Sequence, residues 1–286
     1  MKIVESIKET RQAIGQIHRD GETVCLVPTM GNLHQGHLAL VAQAKELADR
    51  VIVSIFVNPR QFGENEDFST YPRTFEQDAA LLESMGVDLL FYPQVAEIYP
   101  DGSEQITRIH VPTISEVLCG ESRPGHFDGM VSVVNTLFNI VQPDSAIFGE
   151  KDFQQLAIIK MMVRQLHLAV KVYGHPIVRE ASGLAMSSRN QYLTDDERCI
   201  APTLYQTLQA AAEQIAEGKE LAFVESGANA RLAKAGFITD YLKILNPVNL
   251  CEPEHSQKHL VILAAAHLGN ARLIDNLEIN SPYGLD

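Results

Sequence analysis

The stretch Thr23-Val-Cys-Leu-Val-Pro-Thr-Met-Gly-Asn-Leu-His-Gln-Gly-His-Leu38 decides the fold of this chain. It opens with an apolar run of strand type at 24–27, which we expect Pro28 to end because proline has no N–H to give a sheet ladder. After His37 the apolar side chains recur at helical spacing, and a second apolar run follows at 51–57. Strand, helix and strand in this order predict a parallel βαβ unit with a right-handed crossover. Both strands then end at one edge of the sheet, where such folds bind ligands.

Two histidines, His34 and His37, stand around the start of the predicted helix. They could simply cap it, or be exposed and inert. Their setting favours a functional interpretation, because Gly31 and Gly36 allow backbone turns and a helix N-terminus attracts anions through its N–H groups and dipole. A metal site is less favoured, since the pair supplies only two ligands and no cysteine or carboxylate is interleaved. We therefore predict a loop that binds an anionic group.

The order of the remaining elements indicates two domains. Strands and helices alternate through residues 1–176, which predicts an α/β domain with a doubly wound, Rossmann-like parallel sheet. Residues 177–286 place helices first and strands last, which is typical of a smaller α+β domain. The predicted helices cover 3–18, 38–47, 74–85, 130–141, 195–217 and 223–235, with one more that ends near 167. The further strands cover 88–92, 108–111, 146–148, 170–173, 241–245, 259–265 and 272–279, and 119–129 is a predicted glycine-rich loop.

Composition narrows the class of function. The chain has 286 residues, is 45% hydrophobic and carries a formal net charge of −13. This acidity opposes non-specific binding to nucleic acids or anionic membranes but still allows an anionic small substrate beside a local cluster of donors. We expect no secretory signal and no membrane-spanning segment. The four cysteines are far apart in sequence, so we expect them to be reduced in a cytoplasmic protein.

Four polar stretches, at 28–37, 58–61, 149–155 and 186–190, are candidates for chemistry. The first three follow predicted strands of one sheet and should line the same edge, whereas the fourth lies between the predicted domains. Taken singly, each has a simpler explanation. Asp152 with Gln155 could cap a helix, and Lys151 could be a solvated surface residue. Neither G-x-x-x-x-G-K-[ST] nor a G-x-G-x-x-G that follows a strand is present, so a nucleotide would be bound by another arrangement.

Considered together, these stretches resemble one family. Asn32-Leu-His-Gln-Gly-His37 contains the H-x-G-H pattern of the nucleotidyltransferase superfamily that includes class I aminoacyl-tRNA synthetases. The chain is similar to the pantothenate synthetase (pantoate–β-alanine ligase) family within it, and the similarity covers essentially the whole sequence. The motifs that carry it are Phe56-Val-Asn-Pro-Arg-Gln-Phe-Gly63, Tyr71-Pro-Arg-Thr74, Arg123-Pro-Gly-His-Phe-Asp-Gly129, Phe148-Gly-Glu-Lys-Asp-Phe-Gln-Gln155 and Met186-Ser-Ser-Arg-Asn190.

The resemblance implies an ATP- and Mg²⁺-dependent ligase that joins pantoate to β-alanine through a pantoyl adenylate, first releasing pyrophosphate and then AMP. It also implies a homodimer with small molecules as partners, whereas it is the acidic net charge that leads us to expect no nucleic acid or membrane as a partner. Since the adenylate would hydrolyse in open water, we expect residues 59–67 or the smaller domain to close over the site. Two alternatives remain open. One is another nucleotidyltransferase that acts on a different small acid or phosphate substrate, and the other is a non-catalytic nucleotide- or RNA-binding relative.

The resemblance also implies roles for individual residues, and none of them is a metal ligand. The expected catalytic residues are His34, His37, Lys151 and Arg189. Gln61 and Gln155 are expected to bind pantoate, and Gln61 to reach β-alanine as well. The expected ATP-binding residues are Met30, Gly31, Asn32, Leu33, His34, Gln35, Gly36, His37, Gly149, Glu150, Lys151, Asp152, Val178, Met186, Ser187, Ser188 and Arg189.

Overall fold

The computed structural model describes residues 1–63, 66–254 and 256–280, and its contacts divide the chain into two units. The first unit contains Met1–Glu150 and Ile158–Pro176, and the second contains Lys151–Ala157 and the chain from Ile177 onward. The main division therefore falls between Pro176 and Ile177. The short segment Lys151–Ala157, which the sequence places in the first domain, groups with the second unit. Residues 64 and 65 of the loop that is expected to close lie outside the described residues.

The first unit is built on a six-stranded sheet in which every pairing is parallel. Its strands are β1 Lys2–Val4, β2 Val24–Thr29, β3 Arg50–Ile55, β4 Leu89–Phe91, β5 Ser145–Gly149 and β6 Lys171–His175. They lie in the order β1-β4-β3-β2-β5-β6. The order reverses direction after β2, which is typical of a doubly wound sheet and opens a crevice at the carboxyl ends of the central strands.

Along the described part of the chain, seven α-helices are interspersed with these strands. They are α1 Ile7–Arg19, α2 Gln35–Leu47, α3 Phe75–Ser84, α4 Val95–Ile98, α5 Cys119–Ser122, α6 His126–Val141 and α7 Phe153–Gln165. Leu40 of α2 and Leu82 of α3 are buried in one apolar cluster with alternate strand residues such as Val27 and Val53. Helices α1 and α6 contact each other and β2 and contribute nothing to that cluster. The predicted α/β class of this domain is confirmed.

The second unit has a smaller α+β architecture, also as predicted. Its helices are α8 Asp195–Ile200, α9 Thr203–Ala216 and α10 Leu221–Lys234, and its strands are β7 Ile238–Leu245, β8 His259–Leu268 and β9 Ala271–Asn280. The three strands form an antiparallel sheet in sequence order. Its core joins Leu208 and Leu232 of the helices to Ile262 and Ala264 of β8. No helix in the described part of the chain is both long and apolar enough to span a bilayer.

The prediction that Pro28 ends the first strand is wrong. Strand β2 continues to Thr29, and Pro28 lies beside Ser54 of β3. The carbonyl of Thr29 accepts a hydrogen bond from Phe56 N on the β3 side, so the imide nitrogen of Pro28 faces the β5 side. Pairing with β5 already stops after Leu26. The missing N–H of proline therefore costs no hydrogen bond in the sheet.

The predicted helix at 3–18 is wrong at its start. Residues Lys2–Val4 pair with β4 as strand β1, and the helix begins only after Ser6. The hydroxyl oxygen of Ser6 accepts a hydrogen bond from Glu9 N, which is a capping interaction. The spacing Ser6-x-x-Glu9 is a helix-start signal that periodicity alone overlooks.

Three further element predictions are corrected. Residues 108–111 form no strand, because Ile109 N donates to the hydroxyl of Ser132 rather than to a neighbouring strand. The loop predicted at 119–129 contains α5 and the start of α6. The helix predicted at 195–217 is interrupted at Pro202 into α8 and α9. Ala201 and Pro202 both keep right-handed helical backbone angles, but proline has no N–H to continue the helical hydrogen bonds.

Candidate active site

Three polar loops of the first unit follow the three neighbouring central strands. Residues 30–34 follow β2, 56–61 follow β3 and Glu150 follows β5, and both β3 and β5 pair with β2 in parallel. The carboxyl ends of parallel strands meet at one edge, so the fold brings these loops to the same side of the sheet. This is the arrangement that the sequence predicts for the stretches 28–37 and 58–61, but of the third stretch only Gly149 and Glu150 belong to this unit.

The two histidines both cap α2 and present defined ring nitrogens. His34 is the N-cap residue, and its Nδ1 accepts a hydrogen bond from Gly36 N at 3.1 Å. His37 Nδ1 accepts from His34 N at 3.3 Å, and the two ring centroids lie 4.1 Å apart. Because each Nδ1 is an acceptor, a neutral ring carries its proton on Nε2. The capping interpretation is therefore correct, and in a neutral ring it places the N–H of each imidazole on Nε2.

The side-chain amide of Gln61 is oriented by a buried hydrogen-bond chain. Asn58 Nδ2 donates to Gln61 Oε1 at 3.1 Å and to the Gly129 carbonyl at 3.1 Å. The Tyr99 hydroxyl in turn donates to Asn58 Oδ1 at 2.7 Å. With its oxygen held by Asn58, Gln61 directs Nε2 to the Met30 sulfur at 3.0 Å. Burial raises the pKa of Tyr99 to about 12, so this hydroxyl stays protonated at neutral pH.

The main chain of Gln61 is held by the Arg123-Pro-Gly-His126 motif. His126 Nδ1 lies 2.7 Å from the Gln61 carbonyl oxygen, to which it donates, and its Nε2 accepts from Arg123 at 2.9 Å. Arg123 Nε also donates to Glu66 at 2.6 Å. Burial alone would raise the pKa of Glu66, but the hydrogen bonds and charge of Arg123 outweigh it and hold this pKa below its usual value. A charged Glu66 thus fixes the guanidinium that supports Gln61.

The 149–155 stretch is divided between the units. Gly149 ends β5, and Glu150–Asp152 form a 3-10 helix that leads into α7. In the second unit, Asn276 of β9 donates from Nδ2 to the Lys151 carbonyl at 3.1 Å. This bond fixes the main chain that carries the Lys151 side chain. Gln155 lies in the first turn of α7 and is half-buried.

The second unit also brings Val178 close to Met186. Met186 N donates to the Val178 carbonyl at 2.9 Å, next to a β-bridge between Arg179 and Ala185. Arg179 anchors this turn, because its guanidinium forms two hydrogen bonds of 2.7 and 2.8 Å with the buried carboxylate of Asp275. It also lies 3.4 Å above the Tyr205 ring.

The serine and arginine residues that follow form a short 3-10 helix. Ser187 is its N-cap, and its hydroxyl accepts from Arg189 N at 3.2 Å, so Ser187, Ser188 and Arg189 share one turn. Asn190, which is 4% exposed, donates from Nδ2 to the Ala185 carbonyl at 3.0 Å and ties this turn to the preceding loop.

The predicted site residues thus form two groups. The first unit holds Met30–His37, Gln61, Gly149 and Glu150, and the second holds Lys151, Asp152, Gln155, Val178 and Met186–Arg189. Sequence reasoning missed the supporting side chains Tyr99, His126 and Asn276. Of these three residues, only His126 lies in a stretch that stands out in the sequence, the glycine-rich motif Arg123–Gly129. Among the described residues, no group of three or more His, Cys, Asp or Glu side chains is arranged to hold a metal ion.

Comparison with known proteins gives matches along nearly the whole chain. The family described as pantoate-beta-alanine ligase matches residues 2–278. The pantothenate synthetase of Hahella chejuensis is 52% identical over 281 residues, which are 98% of this chain and 99% of that protein. That of Shewanella loihica is 53% identical over 277 residues, or 97% of this chain and 98% of that protein.

Solved structures agree. The crystal structure of pantothenate synthetase from Thermus thermophilus has a TM-score of 0.90 and 44% identity, covering 98% of this chain and 100% of that one. Pantoate-beta-alanine ligase from Francisella tularensis, solved with beta-gamma ATP and beta-alanine, has a TM-score of 0.81 and 37% identity over 97% of each chain. The chain therefore belongs to the pantoate–β-alanine ligase family.

Proposed function

We propose that this protein condenses pantoate with β-alanine at the expense of ATP and forms pantothenate through a pantoyl-adenylate intermediate. The observation that carries the proposal is the pair of Nε2–H donors of His34 and His37 at the N-terminus of α2, in a chain that matches the ligase family over residues 2–278. The N–H groups and dipole of a helix N-terminus favour phosphate, and two imidazole donors add to them.

In the first step, a pantoate carboxylate oxygen attacks the α-phosphorus of ATP. The new C–O–P bond forms as the bond to the bridging oxygen breaks, and pyrophosphate leaves with the electron pair. Negative charge grows on the phosphate oxygens in the transition state, where one fixed donor is worth about 3 to 4 kcal/mol. We assign His34 and His37 to these oxygens, and Lys151, Ser187, Ser188 and Arg189 to the departing pyrophosphate.

In the second step, the amine of β-alanine attacks the acyl carbon of the adenylate. The acyl C–O bond breaks, AMP leaves, and the amine loses a proton as the amide forms. We assign Gln61 and Gln155 to pantoate, and Gln61 to β-alanine as well. A neutral amide can hydrogen-bond hydroxyl and carboxylate groups without clamping the nucleophile in an ion pair. The hydrogen bond from Asn58 that orients Gln61 supports this role.

The remaining assignments concern ATP itself. We assign Met30, Gly31, Asn32, Leu33, Gln35, Gly36, Gly149, Glu150, Asp152, Val178 and Met186 to the nucleotide, with Gly149, Asp152 and Val178 on adenosine. Mg²⁺ would be held mostly by the phosphates of ATP and by water, where it would offset their negative charge, since magnesium retains several waters and is commonly held by substrate phosphates.

Assembly and location complete the proposal. We propose that the protein is a homodimer, as the family resemblance implies, and sedimentation equilibrium at the assay concentration tests this. We also propose that it acts in the cytoplasm, in agreement with its four free cysteines.

Exchange of labelled pyrophosphate into ATP tests the reaction. Exchange should depend on pantoate and not on β-alanine, because only the first step is reversed. Release of AMP should then require ATP, pantoate and β-alanine together. Absence of pantoate-dependent exchange would exclude this function, and exchange driven by a different acid would indicate another nucleotidyltransferase.

A further inference from the structure

A buried carboxylate lies behind the loop that leads into α2. Asp78, in α3, is 2% exposed. Among the described residues it forms no ion pair, and its partners are three hydrogen-bond donors, Asn32 N, Leu33 N and the Thr74 hydroxyl. Burying a carboxylate is costly unless hydrogen bonds replace its hydration. The bonds that Asp78 accepts therefore indicate what it does.

Both oxygens of Asp78 accept main-chain hydrogen bonds from the same turn. Asn32 N donates to Oδ2 at 2.8 Å, and Leu33 N donates to Oδ1 at 2.8 Å. The hydroxyl of Thr74, one helical turn earlier, also donates to Oδ2 at 3.1 Å. Charge-assisted bonds of this length are among the stronger hydrogen bonds in proteins. A single side chain thus clamps two successive N–H groups.

The clamped turn needs this support. Gly31 and Asn32 have φ angles of +83° and +51°, in the left-handed region that is costly for a residue with a side chain. A Cβ at Gly31 would lie 3.1 Å from Asp78 Oδ2 and 3.1 Å from the Ile55 side chain, so the turn is packed closely against both. Backbone in this region persists where the surroundings determine it, and such sites are often functional.

The clamp is continuous with the two histidines. Leu33, whose N–H is held by Asp78, directly precedes His34. The main-chain nitrogen of His34 then donates to His37 Nδ1, and this bond sets the orientation of the second ring. Asp78 thus holds the main chain directly before His34, whose N–H orients the His37 ring, while the His34 ring accepts from Gly36 N in the first turn of α2.

We propose that Asp78 is a positioning residue for adenylate formation, which places the Nε2 donors of His34 and His37 before ATP binds. The proposal rests on the proposed function of those histidines. The effect would arise from preorganisation, because donors that are already aimed at the developing charge need no rearrangement during the reaction. Asp78 itself touches no reacting atom.

The test replaces Asp78→Asn, which keeps the size of the side chain and turns one acceptor into an NH₂ group that faces a main-chain N–H. The matched control is Glu76→Gln, which removes an exposed carboxylate from the first turn of the same helix. Misplacement of reacting groups by about 1 Å costs on the order of 10²-fold in rate. We expect a loss of this size in the kcat of pantoate-dependent pyrophosphate exchange for D78N, a small change in the KM for pantoate, and no loss for E76Q.

A second readout separates positioning from a structural role. Side-chain ¹⁵N resonances of His34 and His37 in the wild-type protein should report a proton on Nε2 and an accepting Nδ1. In folded D78N the His37 signature should change, because its donor has moved. Folded D78N with wild-type exchange and wild-type histidine resonances would overturn the proposal. If the wild-type protein itself shows no exchange, the proposed function has failed, independently of Asp78.

A third measurement does not depend on whether D78N folds. In the wild-type protein, the amide hydrogens of Asn32 and Leu33 should exchange with solvent at least about 10²-fold more slowly than unprotected amides, although they lie outside any helix or strand. Thr74→Val, which removes one bond to the carboxylate, should speed their exchange. Fast exchange of both amides in the folded wild-type protein would show that no clamp exists.

Discussion

The amide of Gln61 depends on a hydroxyl group far from it in sequence. Tyr99 donates to Asn58, and Asn58 donates to Gln61. Tyr99→Phe removes the first bond and leaves Asn58 freer to rotate. A buried hydrogen bond of this kind contributes about 0.5–1.5 kcal/mol, so we expect a stability loss in that range together with a rise of several-fold in the KM for pantoate. Urea unfolding and steady-state kinetics measure the two effects.

Tyr92→Phe is the matched control for Tyr99→Phe. Tyr92 is half-buried and stacks on Phe75 with ring centroids 4.3 Å apart, and no hydrogen bond of its hydroxyl is found among the described residues. Its loss should change neither the KM for pantoate nor stability beyond a few tenths of a kcal/mol. Equal KM values for the two variants would mean that Tyr99 does not orient Gln61.

A surface histidine gives the chain a small pH-dependent contribution to stability. His110 Nδ1 lies 2.9 Å from Asp128 and its Nε2 lies 3.2 Å from Glu116. The hydrogen bond to Asp128, with help from both charges, raises the pKa of His110 above its ordinary value. When folding raises the pKa of a histidine, the resulting stabilisation is fully present at pH values below the pKa of the unfolded chain. It is lost as the pH rises through the pKa of the folded protein.

We therefore expect His110→Gln to destabilise the protein more at about pH 5.5 than at about pH 8.5, which lie on either side of the ordinary histidine pKa. The difference should stay below about 1 kcal/mol because the pair is exposed to solvent. Urea unfolding at the two pH values measures it. His175→Gln is the control, since His175 contacts the Pro176 carbonyl rather than a carboxylate. A pH-independent effect of His110→Gln would contradict this assignment.

At the scale of elements, the approach of α6 to the turn Pro59–Gln61 depends on Gly129. A Cβ at this position would lie 2.1 Å from the Arg60 carbonyl oxygen, within the backbone of the turn that carries Gln61. Gly129→Ala must push the helix and the turn apart. Overpacking of this kind costs about 1–3 kcal/mol, and the displaced turn should also raise the KM for pantoate. Thermal unfolding and kinetics together report both consequences.

Gly227→Ala provides the comparison for Gly129→Ala. Gly227 is also a helical glycine, in α10, and its Cβ would meet no atom within 4 Å. Here alanine should stabilise by about 0.5–1 kcal/mol through helix propensity. The two substitutions should thus have opposite signs. If Gly129→Ala stabilised the protein as well, the close approach of α6 and the turn would not constrain the site.

The sequence predicts long, periodic elements well and predicts contacts between distant residues poorly. The strand–turn–helix around His34 was predictable because its signals are local: apolar runs, glycines and helical spacing. Strand β1 was missed because three residues carry too short a pattern, although the Ser6-x-x-Glu9 capping signal marks the true start of α1. Asp78 and Tyr99 gave no signal, since each supports a loop more than 35 residues away in the chain. Only the folded sheet brings them to it.

At the scale of the whole molecule, a strongly acidic chain has to bind anionic substrates. The formal net charge is −13, yet the assigned phosphate donors are histidines, serines, Lys151 and Arg189. Several acidic groups are already engaged in ion pairs, such as Asp275 with Arg179 and Glu66 with Arg123. Because charges that lie beyond about 10 Å are largely screened at physiological salt, the local donors decide phosphate binding and the net charge does not.

The division of the assigned residues between two units makes a prediction about the whole reaction. His34, His37 and Gln61 belong to the first unit, and Lys151, Gln155 and Arg189 belong to the second. If one adenylate engages both groups, its formation should protect both units from solvent, as an intermediate prone to hydrolysis requires. With MgATP and pantoate but no β-alanine, we expect slower amide exchange in residues 30–37 and in residues 186–190. Hydrogen exchange followed by mass spectrometry measures this directly.

Lys151→Ala tests whether the protection of residues 186–190 requires the formation of adenylate or only bound ATP. This variant should bind ATP but form adenylate at least about 10²-fold more slowly, the effect of losing one group that stabilises developing charge. Because Met186–Arg189 are assigned to ATP and the departing pyrophosphate, residues 186–190 should stay protected in this variant while ATP is bound, and only the formation of adenylate should slow. Lys160→Ala, which removes an exposed lysine from the same helix region, should behave as the wild type. Protection confined to residues 30–37 in the wild-type protein would mean that the second unit takes no part in holding the intermediate, and the roles assigned to Ser187, Ser188 and Arg189 would have to be withdrawn.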